Sequence, residues 1–204
     1  MTAAVGTVFV VDDDLPMRQS LKFLLESVNL TVRLFESAQA FLDSYDPSEP
    51  GCLLLDVRMP SMSGLELQEK LRSQGSRLSV IMMTAFADVP MAVRAMHQGA
   101  VDFIEKPFNE QALLECIQRA LDRDAKAREE NDSALVIEQR FEKLTRRERE
   151  VAQLVVQGRS NKQIASSLNL SIKTVEQHRA KAMDKMDADS LAALVRMALE
   201  VGFV

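Results

Sequence analysis

Short, dense apolar runs recur through the first 110 residues, at Thr7–Val11, Leu30–Phe35, Cys52–Leu55, Ser79–Met83 and Val101–Ile104. All but Leu30–Phe35 are nearly continuous in apolar character instead of alternating, as strands covered by helices on both faces require. The segments between them carry helical spacing and its punctuation. Pro16 suits a first helical turn, Ser37, Asp88 and Asn109 suit N-caps, and Asn29, Gly75 and Gly99 stand where helices stop. The pattern predicts an α/β domain, a doubly wound parallel sheet of five strands with five helices, over residues 1–120.

From Leu121 to Gln139 the sequence turns to Ala, Glu, Asp, Arg and Lys with almost no Gly or Pro, which predicts a helical linker (121–140) continuing the fifth helix. From Phe141 (141–204) the pattern is helical throughout. Thr145 with Glu148 forms a capping box, Ser160 and Ser171 suit the next two caps, and Asp189 or Ser190 the last. Four short helices predict a small all-α module. Charge divides along the same boundary. Residues 1–140 carry 14 Lys and Arg against 22 Asp and Glu, net −8, and residues 141–204 carry 11 against 8, net +3, together the −5 of the whole chain. An acidic body with a basic end points weakly to a nucleic-acid reader at the C-terminus.

Within that module, Ser160–Leu168 and Ser171–Met186 flank a turn containing Asn169 and Leu170, the outline of a helix-turn-helix. Ile172, Val175, Ala182, Met183 and Met186 form an apolar stripe at helical spacing and are assigned to the core. The opposite face carries Lys173, Glu176, Gln177, Ala180 and Lys181. A polar face is equally compatible with plain solvation, so its assignment to a DNA groove leans on the resemblance given below. Arg179, Lys173, Lys181 and Lys162 read as phosphate contacts, which position without specifying.

In a doubly wound sheet ligands bind at the carboxyl ends of the strands. Asp12, Asp13 and Asp14 follow the first run, Asp56 the third, Thr84 the fourth, and Lys106 with Pro107 the fifth. Taken singly, each is an ordinary cap or turn residue, and Asp14 is read as one. Taken together they are a site. Clustered carboxylates repel one another unless a cation neutralises them, and oxygen donors select a hard divalent ion such as magnesium. Asp56 could then attack a phosphorus centre, with the ion and Lys106 neutralising the phosphoryl oxygens and the Thr84 hydroxyl donating to them.

Other chemistries find less support. Cys52 and Cys116 lie in apolar stretches with no Cys-x-x-Cys spacing and read as reduced core residues; with His97 and His178 they make a poor zinc set. No apolar run approaches the ~18 residues of a membrane helix, and the N-terminal stretch lacks the basic flank of a signal peptide, so a cytoplasmic location is expected.

The stretches VVDDD, LLLDVRMPSMSG, MMTAFADVPMAVRAMHQGAVDFIEKPF and LTRREREVAQLVVQGRSNKQIASSLNLSIKTVEQHRAKAMDKM resemble the FixJ/NarL class of two-component response regulators, nearest its FixJ branch. The resemblance covers nearly the whole chain and implies a flavodoxin-like receiver followed by a LuxR-type helix-turn-helix domain. It implies Asp56 as phosphoryl acceptor from a sensor histidine kinase, and Asp12 and Asp13 as an acidic pocket. Mg2+ would be held by Asp13, Asp56, the Arg58 backbone carbonyl and, through water, Asp12. Thr84 and Phe103 match a switch pair, and Lys106 a phosphate-contacting lysine with a cis bond to Pro107. Glu176 and Gln177 match base-reading positions. The implied partners are promoter DNA with two-fold related half-sites, a second copy of the phosphorylated chain and RNA polymerase. Dimerisation is expected through the Asp88–Gln98 helix and the fifth strand, with the Leu191–Val201 helices meeting on DNA.

The resemblance implies a regulator and not an enzyme, beyond slow loss of its own phosphoryl group. A haloacid-dehalogenase-like phosphatase would want a second Asp two residues after Asp56, where Arg58 stands. A quorum sensor would want an aromatic-lined pocket, and the chain has no Trp and one Tyr. A regulator working without phosphorylation stays open. Beside the acceptor, Ala85 leaves space, and Phe86 is read first as packing on the Asp88–Gln98 helix and second as blocking the pocket mouth together with Arg58.

Overall fold

All five runs form strands in the computed structural model, which describes residues 6–86 and 88–203. The strands are β1 (Thr7–Val11), β2 (Thr31–Phe35), β3 (Gly51–Asp56), β4 (Ser79–Thr84) and β5 (Asp102–Glu105). They make one parallel sheet in the order β2-β1-β3-β4-β5. Because successive strand side chains point to opposite faces, Phe9 and Val11 enter one core with Leu53 and Leu55, while Val8 and Val10 enter the other with Cys52 and Leu54. Helices α1 (Leu15–Ser27) and α5 (Glu110–Glu142) cover the second face, and α2 (Ala38–Ser44), α3 (Gly64–Ser73) and α4 (Val89–His97) the first.

Strands β1, β3 and β4 are buried along their whole length, as their unbroken apolar runs require. Strand β5, which reads much the same in sequence, is half-buried. It lies at the sheet edge beyond β4, where one flank has no neighbouring strand. Composition gives a strand its faces and leaves its place in the order open.

The caps form as expected. The Ser37, Asp88 and Asn109 side chains accept from the N–H of Ala40, Met91 and Ala112. Asn29, Gly75 and Gly99 take positive φ. Both cysteines are free and buried.

Helix α5 is continuous for 33 residues. The first compact unit ends at Arg128 and the second begins at Glu129, so two turns expected in the linker belong to the first. Buried Asp124 accepts the Gly51 N–H at 3.0 Å and Arg128 Nε at 2.7 Å, and Arg128 also reaches the carbonyl oxygens of Pro47, Ser48 and Glu49. Apart from the Asp124–Arg128 bond within the helix, these hydrogen bonds span 73 to 81 residues of chain, a range that local composition does not report.

In the second unit, α6 (Arg146–Val156), α7 (Asn161–Leu168), α8 (Ile172–Met186) and α9 (Leu191–Glu200) pack around Val151, Val155, Ile164, Val175, Met186 and Leu194. Ile137 and Phe141, from the end of α5, join this core. Thr145 and Glu148 form the capping box, Ser160 and Ser171 cap α7 and α8, and of the two candidates Ser190 caps α9. Val175, Ala182 and Met186 of the apolar stripe are buried and Met183 packs against them, but Ile172 is 47% exposed. It is the first residue of α8, one turn before Val175, where helical spacing continues past the end of the core.

Glu148 is buried and accepts from Lys185 Nζ at 2.6 Å and from the Thr145 N–H at 2.8 Å. These two interactions lower its carboxyl from 4.5 to about 2. A carboxyl depressed by folding stabilises above its unfolded value, and the contribution is lost as pH falls from about 4.5 to about 2. Glu148→Gln is expected to cost on the order of 2 kcal/mol at pH 7, after allowing for the partly exposed Lys185. In urea titrations the deficit should shrink as pH falls through that window, and a deficit constant with pH would place the cost in packing instead.

No helix among the described residues is long and apolar enough to cross a membrane.

Candidate functional site

The strand order brings the carboxyl ends of β1, β3, β4 and β5 side by side. Asp12, Asp56 and Thr84 are buried there, and the Lys106 side chain is 12% exposed. Lys106 Nζ donates to Asp12 Oδ2 at 2.7 Å and also to Asp56 Oδ1. The other oxygen of Asp56 accepts the Arg58 N–H at 2.7 Å, and Asp12 Oδ1 accepts the Asp14 N–H at 2.9 Å. Asp14 is the residue that opens α1, the turn role expected of it. The Lys106–Pro107 bond is cis.

One ammonium therefore serves two buried carboxylates. Burial pushes the Asp56 carboxyl above its ordinary value, Asp12 adds to this, and Lys106 opposes it. Burial alone would lower Lys106, but its hydrogen bonds to Asp12 and Asp56 outweigh that and hold the ammonium above its ordinary value. Two carboxylates converging on a single cation leave one negative charge unbalanced. That imbalance and the all-oxygen donor set suit a hard divalent ion. Asp13 is exposed beside Asp12, and among the described residues no three His, Cys, Asp or Glu side chains are already grouped as ligands.

Several residues of the site were not apparent from sequence. Buried Arg18 donates to the Asp12 carbonyl at 2.6 Å and so braces the turn that carries the acidic residues. Gly64 begins α3 against the Asp56 carbonyl, which a Cβ would overlap. Its signal was the Ser63-Gly64 pair opening a helix, with Ser63 and Glu66 forming a capping box. Phe86 is 66% exposed, so most of its ring is left unpacked, and the Arg58 guanidinium lies 4.9 Å from its ring centroid. An aromatic residue next to an arginine loses less by exposure than its apolar character suggests. Phe103 on β5 is half-buried against the core of the first sheet face.

In the second unit, Lys162, Lys173, Glu176, Gln177, Ala180 and Lys181 are exposed. On α8 the last five follow i, i+3, i+4, i+7, i+8 spacing and so share one face. The turn before α8 closes through Asn169 in the left-handed conformation and a Leu170 N–H bond to the Ala165 carbonyl. Arg179 differs from the other basic residues, being half-buried and donating to Asn161 Oδ1 at 3.2 Å. It ties α8 to the start of α7.

Residues 8–118 match the response regulator receiver domain, and residues 142–198 match the bacterial regulatory proteins of the luxR family. The transcriptional regulatory protein FixJ of Azorhizobium caulinodans is 47% identical over 195 residues, which cover 96% of this chain and 92% of that protein. FixJ of Rhizobium meliloti is 47% identical over 97% of both. The solved structure of the response regulator StyR is 45% identical and covers 96% of this chain and 98% of its own, with a TM-score of 0.86.

Proposed function

The chain belongs to the two-component response regulators, joining a receiver domain to a LuxR-type DNA-binding domain, and from that premise we propose that phosphorylation of Asp56 by a sensor histidine kinase controls its binding to promoter DNA. The observation that carries this reading is the Lys106 ammonium shared by Asp12 and Asp56 at adjoining strand ends. Asp56 supplies the attacking oxygen, and as its bond to phosphorus forms, the phosphorus–nitrogen bond of the kinase's phosphohistidine breaks and the imidazole leaves with the electron pair. Lys106 then exchanges its contact with that oxygen for one with the incoming phosphoryl group, and the Thr84 hydroxyl and Arg58 N–H donate to the same group. Asp13, Asp56, the Arg58 carbonyl and, through water, Asp12 would hold Mg2+. The chemistry that ion supplies when bound is neutralisation of the phosphoryl oxygens.

Dimerisation on activation is supported by the exposed apolar residues Val89, Val93 and Met96 of α4, beside Phe103 on β5. Thr84 and Phe103 are the pair we assign to repacking that surface when the phosphoryl group arrives. Exposed Leu191 and Leu199 on α9 support a second contact between DNA-bound copies, which would place two domains on two-fold related half-sites. In this reading Glu176 and Gln177 face bases, Lys162, Lys173 and Lys181 face phosphates, and Ala180 permits close approach. Arg179 serves more to brace the two helices. RNA polymerase is the partner through which transcription would change.

The experiment is footprinting of promoter DNA with the full chain, with and without a small phosphodonor. A donor-dependent two-fold footprint, absent in Asp56→Asn, is expected; an identical footprint without donor would favour the phosphorylation-independent regulator.

The Arg58–Phe86 pair stands beside the acceptor, and we assign it a part in slowing water attack on the phosphoryl group. Such a contact contributes ~0.5–1 kcal/mol at an exposed site. Phe86→Ala is therefore expected to shorten the phosphoryl half-life about 2–5-fold without preventing phosphorylation. An unchanged half-life would remove the pair from the mechanism.

A further inference from the structure

At the other end of β4 from Thr84, a cleft of about 350 Å³ opens among α3, the start of β4, the end of α4 and α5. Arg72, Arg77 and Arg123 line it, and none of its lining residues is acidic. This is a concentration of positive charge on an otherwise acidic domain. Gln68 and Gln98 line the same cleft, and the side-chain oxygen of each is buried with no hydrogen-bond partner among the described residues. Gln68 is 3% exposed and its amide nitrogen is already committed to the Ala95 carbonyl at 3.2 Å, which leaves its oxygen as a fixed acceptor. Buried acceptors are ordinarily satisfied. Two orphaned acceptors within a cationic cleft therefore call for an occupant that is anionic at one part and a hydrogen-bond donor at another.

We propose that this cleft binds a nucleoside monophosphate whose base carries an exocyclic amino group. The phosphate meets the arginine side chains, which match phosphate oxygens in charge and fork geometry. The amino N–H groups of adenine, guanine or cytosine meet the glutamine oxygens. The volume lies within the range of small-molecule sites. The site is separate from Asp56, so the proposal stands independently of the acceptor assignment.

Calorimetric titration of the full chain with AMP, GMP, CMP, UMP and inorganic phosphate tests it. At least one amino-bearing nucleotide is expected to bind with Kd below about 1 mM, ahead of both UMP and inorganic phosphate by roughly tenfold or more. Replacing two of the three exposed arginines, Arg72→Ala with Arg123→Ala, should weaken the nucleotide and inorganic phosphate alike. Gln68→Leu should remove the advantage of the nucleotide and leave phosphate binding as it was. Gln98→Leu, at the end of α4, provides the same test should the buried substitution impair folding. No binding at millimolar concentration would overturn the proposal. So would equal affinity for nucleotide and inorganic phosphate, or binding indifferent to the arginine pair.

Discussion

Asp56→Asn is expected to abolish phosphoryl incorporation from acetyl phosphate, by more than about 100-fold, with the fold intact. The attacking group must bring a negative oxygen to phosphorus, and an amide oxygen is neutral and far less nucleophilic. Asn matches Asp in size, and its one amide oxygen can keep the contact with either Lys106 or Arg58 while its NH2 cannot accept the other; that loss is offset because the buried site no longer carries an unbalanced charge. The structural cost should therefore be small and the chemical cost large. Lys106→Ala should behave differently, retaining some labelling while uncoupling it from DNA binding, because the ammonium is the group placed to link a modified Asp56 to β5. Chelation of divalent cations should stop labelling of the wild-type chain and leave its circular dichroism unchanged. Phosphate-affinity gels give all three results. Full labelling of Asp56→Asn would move the acceptor elsewhere.

The second large effect is expected at a residue that touches no substrate. In Gly64→Ala the new methyl group would overlap the Asp56 carbonyl oxygen and stand 3.1 Å from Leu55 Cγ. Backbone cannot swing aside as a side chain can, so either α3 moves away from the sheet or the end of β3 moves with it. Overpacking of this kind costs about 2–4 kcal/mol. Gly75→Ala provides the comparison. Its φ of +75° is strained for alanine, but none of the described residues lies within 4 Å of a Cβ there, so only the conformational cost of about 1 kcal/mol applies. Urea midpoints should fall further for Gly64→Ala, and its phosphorylation rate should fall too because the acceptor is displaced. Equal midpoints for the two variants would mean that the strand and helix separate easily.

Residues whose role follows from their immediate neighbours were legible in the sequence. The runs Thr7–Val11 and Cys52–Leu55 announce strands buried on both faces, and Ser37, Asp88, Thr145 and Ser160 announce helix starts, because capping is settled within three residues. The acidic and basic members of the site were legible for a related reason. A parallel sheet places every strand's carboxyl end on one edge, so Asp12, Asp56, Thr84 and Lys106 could be grouped before their distances were known. Ile172 misled because helical periodicity marks the apolar side of a helix and says nothing of where the core ends.

The sequence by itself therefore determined the element order, the two-domain division, the family and the set of groups at the strand ends. Tertiary structure decided how those groups share charge: one Lys106 between Asp12 and Asp56, with Arg18 bracing the turn behind them. It decided that Arg179 ties α8 to α7, that Phe86 meets Arg58, and that Asp124 and Arg128 fasten α5 to the start of β3. The division has one physical cause. Hydrophobic burial and helix capping depend on spacing along the chain, whereas a charged or polar side chain bonds to whatever the fold brings within about 3 Å, however many residues intervene.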